Sequence, residues 1–505
     1  MLDSPTYTHY DVSMQNFFKE ISDNKSVPTY KMLIEGKWQF SSSDRTNDIV
    51  SPIDGKIVGR VDVATSEEIN RAVKSAKKAQ ENWGNTSLNT RITSMMLVAD
   101  YLREYSGELG KILAVEIGKP VDEAIKEYVR SAEMIDAFIG EVRSLRGEEI
   151  PSDQFPGVEP GKTAIVKRVP RGVILAIAPF NYPINLAVSK LAPALLTGNT
   201  VVFKPPTYGS ISGTYLTKIF VESGLPEGVI QLITGAGSQI GTKITSHPDI
   251  AMVAFTGSSE TGETICSASG MADCLFECGG NNPLIVLSDA NLDLTTEHIV
   301  KGAFSYTGQR CTGVKKVYGL QTTLDKVIPR VVTYTKATIK LGNPMEKGIN
   351  MGPVITEKAA HTIMRRIKDA TNKGAELVYG GRADGSYIEP TILRKVKCNM
   401  EIAEMETFGP VVSFIEVEDI DDAIEMINES KYGLQASIFT EDEGAGLSLA
   451  DRINTGTVQI NSNPQRGPDH FPFMGVRSSG IGVQGIRYSL EAMTRLKSVV
   501  LNSPH

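Results

Sequence analysis

The sequence has little cysteine: five residues in 505. That is too sparse for a disulfide scaffold. Cys274 and Cys278 stand four apart in an expected strand, about 13 Å from each other, too far to bridge. A reducing cytoplasm is therefore the expected compartment. The six histidines are scattered and form no cysteine–histidine cluster with zinc-ligand spacing, so no metal is expected. No apolar run reaches the roughly 18–20 residues of a membrane span. Asp3 and Asp11 lie where a signal peptide would carry its apolar region. A basic excess is missing too. The net charge of −7 argues against nucleic acid and anionic membrane as partners. A small anionic substrate remains open, because it needs only one local cationic cluster. There is no repeat of fixed period and no low-complexity segment.

What is present is a chain of 505 residues, long enough for two or three domains and a large core. Residues 1–27 are polar, with Met14, Phe17, Phe18 and Ile21 spaced for one short amphipathic helix that docks on the body. Residues 30–64 read as hairpin-like strands, with turns at Glu35-Gly36 and Asp54-Gly55. Thr65-Ser-Glu-Glu68 is a capping box, and Ile69, Ala72, Val73 and Ala76 then recur at helical spacing. A second helical region runs from about Asn89 to Glu116 and stops at Gly118-Lys-Pro120. A third runs from Asp122 to about Leu145, with Arg130 beside its apolar face and within reach of Glu127 or Glu133.

From Thr163 the texture changes. Short β-branched runs (164–168, 173–178, 200–204, 230–235, 251–257, 284–287) alternate with helical runs (184–197, 208–223, 238–245, 259–270). That alternation predicts a parallel sheet wrapped by helices. A second α/β alternation occupies about 280–480. The last run, Leu496–Leu501, is a strand without an obvious internal partner, which could pair with a neighbour within the chain or in another subunit.

Three stretches carry candidate chemistry. In Gly302-Ala-Phe-Ser-Tyr-Thr-Gly-Gln-Arg-Cys311-Thr-Gly313, a thiol sits between a helical run at 296–306 and a strand at Lys316–Leu320. A ligand can reach such a junction, and Arg310 with the turn's N–H groups would favour thiolate. Taken alone, a free cysteine is more often a small buried hydrophobe. Leu275-Phe-Glu277-Cys-Gly-Gly-Asn-Asn-Pro283 and Ala178-Pro-Phe-Asn181-Tyr-Pro183 each place one polar residue at a strand end, followed by turn formers. Asn181 alone reads as a turn residue. Glu277 could be a structural acid, although an uncompensated buried carboxylate is costly.

Two further turns suggest a dinucleotide. Gly235-Ala-Gly237-Ser-Gln-Ile-Gly241 follows a strand and opens a helix, but its last glycine spacing is three residues and not two. Phe255-Thr-Gly257-Ser258 is a second strand-to-helix turn, where backbone N–H groups can meet a pyrophosphate. Lys204 ends a strand and could reach a ribose or phosphate; as a lone residue it reads as a solvated lysine.

Together these stretches resemble an aldehyde dehydrogenase of the NAD(P)-dependent superfamily, from about Tyr30 to Pro504. Phe203-Lys-Pro-Pro-Thr207 and Gln465-Arg-Gly-Pro-Asp-His-Phe-Pro-Phe473 are similar to the branch of non-phosphorylating glyceraldehyde-3-phosphate dehydrogenases. The resemblance implies an α/β fold: a Rossmann-like dinucleotide-binding domain over 28–147 and 170–279, and an α/β catalytic domain over 280–478. A small β oligomerisation flap would use 148–169 and 479–505, with 1–27 as an extension. It implies Cys311 as nucleophile, Glu277 as general base, and Asn181 with the Cys311 N–H as oxyanion donors. Cys278 departs from the leucine that many relatives carry, which leaves a second reactive thiol open.

For the cofactor, the resemblance places Lys204 at the adenosine ribose, Gly235 and Gly237 near the adenine, and Gly257-Ser258 at the pyrophosphate. Glu406-Thr-Phe408 would hold the nicotinamide ribose. NAD-preferring relatives commonly carry an acid where this chain has Thr207, so NADP is expected over NAD. For the substrate, Arg130, Tyr182, Arg310, Thr312 and Arg466 match positions around a phosphate, and arginine pairs bind phosphate well. The expected partner is a small phosphorylated aldehyde, D-glyceraldehyde 3-phosphate, with succinate semialdehyde as rival and a homotetramer as the expected assembly. Two readings of another class are a non-catalytic binding protein on this scaffold and a cysteine hydrolase. The hydrolase would want a histidine base, and none lies in the three motifs.

Overall fold

The computed structural model describes residues 16–23, 25–157 and 161–502. Two large sheets organise it. The first has eight strands, in the order Gly480–Ile481, Asp273–Glu277, Ile250–Thr256, Val173–Ile177, Thr200–Lys204, Ile230–Leu232, Met32–Ile34, Lys37–Gln39. The five from Asp273–Glu277 to Ile230–Leu232 are parallel. Val173–Ile177 and Thr200–Lys204 are buried at every residue. Such near-continuous apolar runs are what a parallel sheet covered on both faces demands. The second sheet has seven strands, in the order Glu376–Tyr379, Thr391–Arg394, Val411–Val417, Val314–Leu320, Asn282–Val286, Gln435–Phe439, Thr457–Ile460. It is parallel except for its first pair.

The capping box forms as expected: Thr65 Oγ1 accepts from the Glu68 N–H at 3.2 Å, and Glu68 Oε2 accepts from the Thr65 N–H at 2.7 Å. Both hairpins form. The Glu35-Gly36 turn extends the first large sheet, whereas the strands flanking Asp54-Gly55 belong to a separate three-stranded sheet. The second helical region is two helices, Leu88–Glu104 and Ser106–Ile117, broken at Tyr105. The third spans Val121–Val142. Near the N-terminus, Ile21 is buried, and Phe17 and Phe18 pack their rings on Tyr101 and Tyr215 at 5.1 and 4.8 Å. Met14, the first residue of that expected helix, lies outside the described residues.

One expectation about the parallel sheet needs correction. The run 164–168 is not in the parallel sheet. Lys162–Pro170 is the centre of an antiparallel three-stranded sheet, with Glu148–Pro151 on one side and Thr494–Asn502 on the other. Its side chains are half-exposed along almost its whole length, unlike the parallel strands. The final strand therefore has an internal partner, in register from Thr494↔Pro170 to Asn502↔Lys162. Its outer edge carries exposed Leu496, Val499, Val500 and Leu501.

Candidate active site

In the first sheet, strand order reverses between Ile250–Thr256 and Val173–Ile177, which opens a crevice at their carboxyl ends. Asn181 follows one of these strands, and Gly257 and Ser258 follow the other. Lys204 and Glu277 are the last residues of the two strands that flank this pair. The amino ends of the second sheet carry the rest. Cys311 precedes Val314–Leu320, Glu406 and Phe408 precede Val411–Val417, and Asn282 begins its own strand. The site therefore forms where the carboxyl edge of one sheet meets the amino edge of the other.

Cys311 Sγ donates a hydrogen bond to Glu277 Oε1 at 3.2 Å. Glu277 is 2% exposed. Its Oε2 accepts from Arg466 Nη1 at 2.8 Å. Arg466 is braced by Gln484 Oε1 at 3.0 Å and lies over the Phe473 ring, 5.0 Å from its centroid. Burial pushes the Cys311 thiol well above its ordinary pKa, and the Glu277 charge adds to that, against Arg466. This corrects the expectation that Arg310 would favour thiolate. The Arg310 guanidinium is turned to Ser305 Oγ at 2.8 Å and Thr312 Oγ1 at 3.4 Å, and the cation that acts on the thiol is Arg466.

The helix before Cys311, Leu292–Phe304, ends two residues earlier than expected, and the following strand begins at Val314. Between them Tyr306 and Thr307 take left-handed backbone angles, φ 49° and 56°. Such residues cost about 1–3 kcal/mol each and persist only where their surroundings hold them. Here Thr307 Oγ1 donates to the Gly352 carbonyl at 2.9 Å, and Gln309 Oε1 accepts from the Ile355 N–H at 2.8 Å. Asn181 Nδ2 donates to the Gln309 carbonyl at 2.9 Å, which ties Asn181 to the Cys311 loop. An amide nitrogen has two hydrogens, so one remains for a ligand. Gly279 and Gly280 make the close approach possible. A Cβ on Gly280 would stand 2.5 Å from the Cys311 carbonyl oxygen, and one on Gly279 2.3 Å from Glu406 Oε2.

On the cofactor side, Lys204 is buried, with Nζ 3.2 Å from the Pro205 carbonyl, and burial lowers its pKa to about 8. A cation held there without a counter-ion suits an anionic or hydroxyl-rich ligand. Thr207 is half-buried just beyond it. Gly237 opens the helix Gly237–Thr245, and Ser258 caps Ser259–Ala268 by accepting from the Thr261 N–H at 3.3 Å. A Cβ on Gly257 would meet the Phe255 ring at 2.4 Å. Glu406 Oε1 accepts from the Gly280 N–H at 3.1 Å. Burial raises the Glu406 carboxyl to about 7, with the Gly280 N–H, Lys315 and Arg366 opposing. Phe408 meets Phe180 edge-on at 5.7 Å. The open turns, the buried cation and the crevice fit a dinucleotide.

Of the candidate anion ligands, Arg130 does not pair with Glu127 or Glu133. Its Nη2 is 3.9 Å from Asp469 Oδ2, while Arg466 Nε is 3.8 Å from Asp469 Oδ1. Two guanidinium groups thus converge on one carboxylate beside Glu277. Tyr182 meets Tyr306 edge-on at 5.9 Å. Thr312 is buried and bonded to Arg310. Asp469 itself was missed, although it stands in the Gln465–Phe473 stretch. Asn282 was missed as well: its Nδ2 donates to the Cys311 and Gly313 carbonyls at 2.7 and 2.9 Å. So was Lys190, which donates to Thr256 Oγ1 at 2.7 Å and whose pKa burial lowers to about 7. Its only signal was a lysine amid the apolar residues of Asn185–Leu196.

The description of the aldehyde dehydrogenase family matches residues 38–499. This chain belongs to the aldehyde dehydrogenase family and has its α/β fold. It is 42% identical over 489 residues to the NADP-dependent glyceraldehyde-3-phosphate dehydrogenase of Triticum aestivum, covering 96% of this chain and 97% of that one. It is 42% identical to the enzyme of that name from Streptococcus equinus, over 94% of this chain and 98% of that one. The crystal structure of NADP-dependent glyceraldehyde-3-phosphate dehydrogenase from Bacillus halodurans C-125 complexed with NADP superposes with a TM-score of 0.92 at 43% identity. It covers 94% of this chain and 99% of that one.

Proposed function

We propose that this chain is an NADP-dependent, non-phosphorylating glyceraldehyde-3-phosphate dehydrogenase, which oxidises D-glyceraldehyde 3-phosphate irreversibly to 3-phosphoglycerate without inorganic phosphate. One observation carries this reading: the unbroken contact from the Cys311 thiol through Glu277 to Arg466, with Arg130 facing the same Asp469. A nucleophile, a base and an anion-binding cluster then serve one small substrate. The relatives named above support the choice of substrate and of NADP.

The chemistry follows from the chain's own groups. Glu277 takes the thiol proton across their 3.2 Å contact as sulfur attacks the aldehyde carbon. The thiohemiacetal oxyanion is met by the Asn181 amide and the Cys311 N–H. When bound, NADP accepts the hydride that leaves that carbon, and a thioester remains on Cys311. Glu277, its first proton released to solvent, draws a proton from water, whose oxygen adds to the thioester carbon and displaces the thiolate, leaving the carboxylate product. Arg130, Arg466, Arg310 and Tyr182 hold the phosphate, which competes with Asp469 for the first two.

The cofactor-binding domain runs over 28–147 and 170–279 and the catalytic domain over 280–478; of the flap expected over 148–169 and 479–505, Thr494–Asn502 pairs with Lys162–Pro170, whereas Gly480–Ile481 is an edge strand of the first large sheet, which corrects that boundary. The apolar outer edge of Thr494–Asn502 supports assembly, as a homotetramer, through that strand. Among the described residues no helix is long and apolar enough to cross a membrane. Five free cysteines and a thiol nucleophile suit a reducing cytoplasm.

The test is absorbance at the reduced-nicotinamide band with D-glyceraldehyde 3-phosphate and NADP, without phosphate or arsenate. Reduction there, faster than with NAD and faster than with succinate semialdehyde, is the expected result. Reduction with another aldehyde alone would overturn the substrate, and silence with every aldehyde would overturn the activity.

A further inference from the structure

The turn Gly118-Lys119-Pro120, between helices Ser106–Ile117 and Val121–Val142, touches both loops of the active site. Lys119 and Glu127 form an ion pair in which each side chain is 1% exposed. The Lys119 ammonium lies 3.8 Å from the centroid of the Tyr182 ring and 4.5 Å from that of Tyr306. Tyr182 follows the oxyanion residue Asn181, and Tyr306 is the left-handed residue in the loop that leads to Cys311. The free oxygen of the counter-ion is also committed. Glu127 Oε1 accepts from the Ile184 and Asn185 N–H groups at 2.9 and 3.1 Å, at the start of the helix that follows Asn181-Tyr182-Pro183.

A desolvated cation between two ring faces is attracted to both. Stability alone does not require it, since apolar side chains of similar volume can often replace a buried ion pair without loss. What only the charge can do here is hold two rings from two loops against one point. We propose that Lys119, with Glu127, is a positioning residue that sets Tyr182 and the Asn181 loop against the Cys311 loop. It touches no reacting atom and acts through Tyr182. The proposal rests on the reading that Tyr182 faces the substrate.

The experiment is a double-mutant cycle on kcat/KM for D-glyceraldehyde 3-phosphate with NADP. The variants are K119M/E127Q, Y182A and the triple combination, with K119M alone as a second route. The E127Q change keeps an acceptor for the helix N–H groups while removing the unpaired charge. In the Tyr182 background, K119M/E127Q is expected to lower kcat/KM at least tenfold, chiefly through KM. In the Y182A background the same change is expected to cost less than threefold. An equal loss in both backgrounds, or wild-type kcat/KM in K119M/E127Q, overturns the proposal. Should the wild-type enzyme oxidise a different aldehyde, the substrate reading fails, and the same cycle run with that aldehyde still decides the role of Lys119.

Discussion

NADP binding should weaken with rising pH because of one lysine. Lys204 is 6% exposed, and burial lowers its pKa from the ordinary 10.5 to about 8. In the proposed site the ammonium form is the one that would meet the cofactor's anionic side. The ribose phosphate of NADP is already almost fully charged above pH 7, since its second pKa is about 6. Between pH 7 and pH 9 the ammonium fraction of the free enzyme falls from about nine-tenths to about one-tenth. The dissociation constant for NADP should therefore rise up to about tenfold over that range. Fluorescence titration at constant ionic strength measures it.

The same lysine carries a cost for the free fold. Its pKa is lowered on folding, so its charge destabilises the native state at pH 7 by up to about 3 kcal/mol, and that cost disappears as pH rises from about 8 towards 10.5. Lys204→Met should thus unfold at higher denaturant at pH 7 while binding NADP more weakly and without the pH slope. Lys190, Lys315 and Lys316 also have lowered values, about 7, 8 and 8, so this variant is the necessary control. A flat affinity from pH 7 to 9, or a slope that survives in Lys204→Met, would refute the reasoning.

Asn181→Ala removes one oxyanion donor and should lower kcat on the order of 10²–10³-fold in steady-state assays, with thiol alkylation retained. Glu277→Gln keeps the buried shape but removes the base. Rapid mixing should show the first turnover slowed along with later ones, because the same carboxylate takes the thiol proton, with steady-state turnover down on the order of 10²–10⁴-fold. Gly280→Ala drives a methyl group to 2.5 Å from the Cys311 carbonyl oxygen and 2.8 Å from Asn282 Oδ1. It should cost about 1–3 kcal/mol in denaturant unfolding and slow iodoacetamide alkylation of Cys311.

The elements that were legible in advance are those specified by neighbours in the chain. The Thr65–Glu68 cap, the strands at 173–177 and 200–204, and the turns that follow them all follow from local hydrogen bonding or short apolar runs. Glu277 ends a strand, and Asn181 and Cys311 lie in the turns beside strands, but it was the family resemblance that assigned their roles. The helix over 296–306 was overextended because Tyr306 and Thr307 are held left-handed by distant Gly352 and by their surroundings, not by their own preference. The run 164–168 has strand composition, but composition does not say which sheet a strand joins. Its partner lies more than 300 residues away at Thr494–Asn502.

Local sequence was enough for most strands, helices and turns, and for the residue types at the strand ends, because those depend on contacts a few residues apart. What surrounds each of them was settled by packing between distant segments. Arg310 is adjacent to Cys311 in the chain yet turns to Ser305, while Arg466, 189 positions from Glu277, supplies the cation in the thiol's field. Lys119 looked like a helix stop and became the buried contact between two loops. Charge acts through space and burial, and both are set only when the two sheets meet edge to edge.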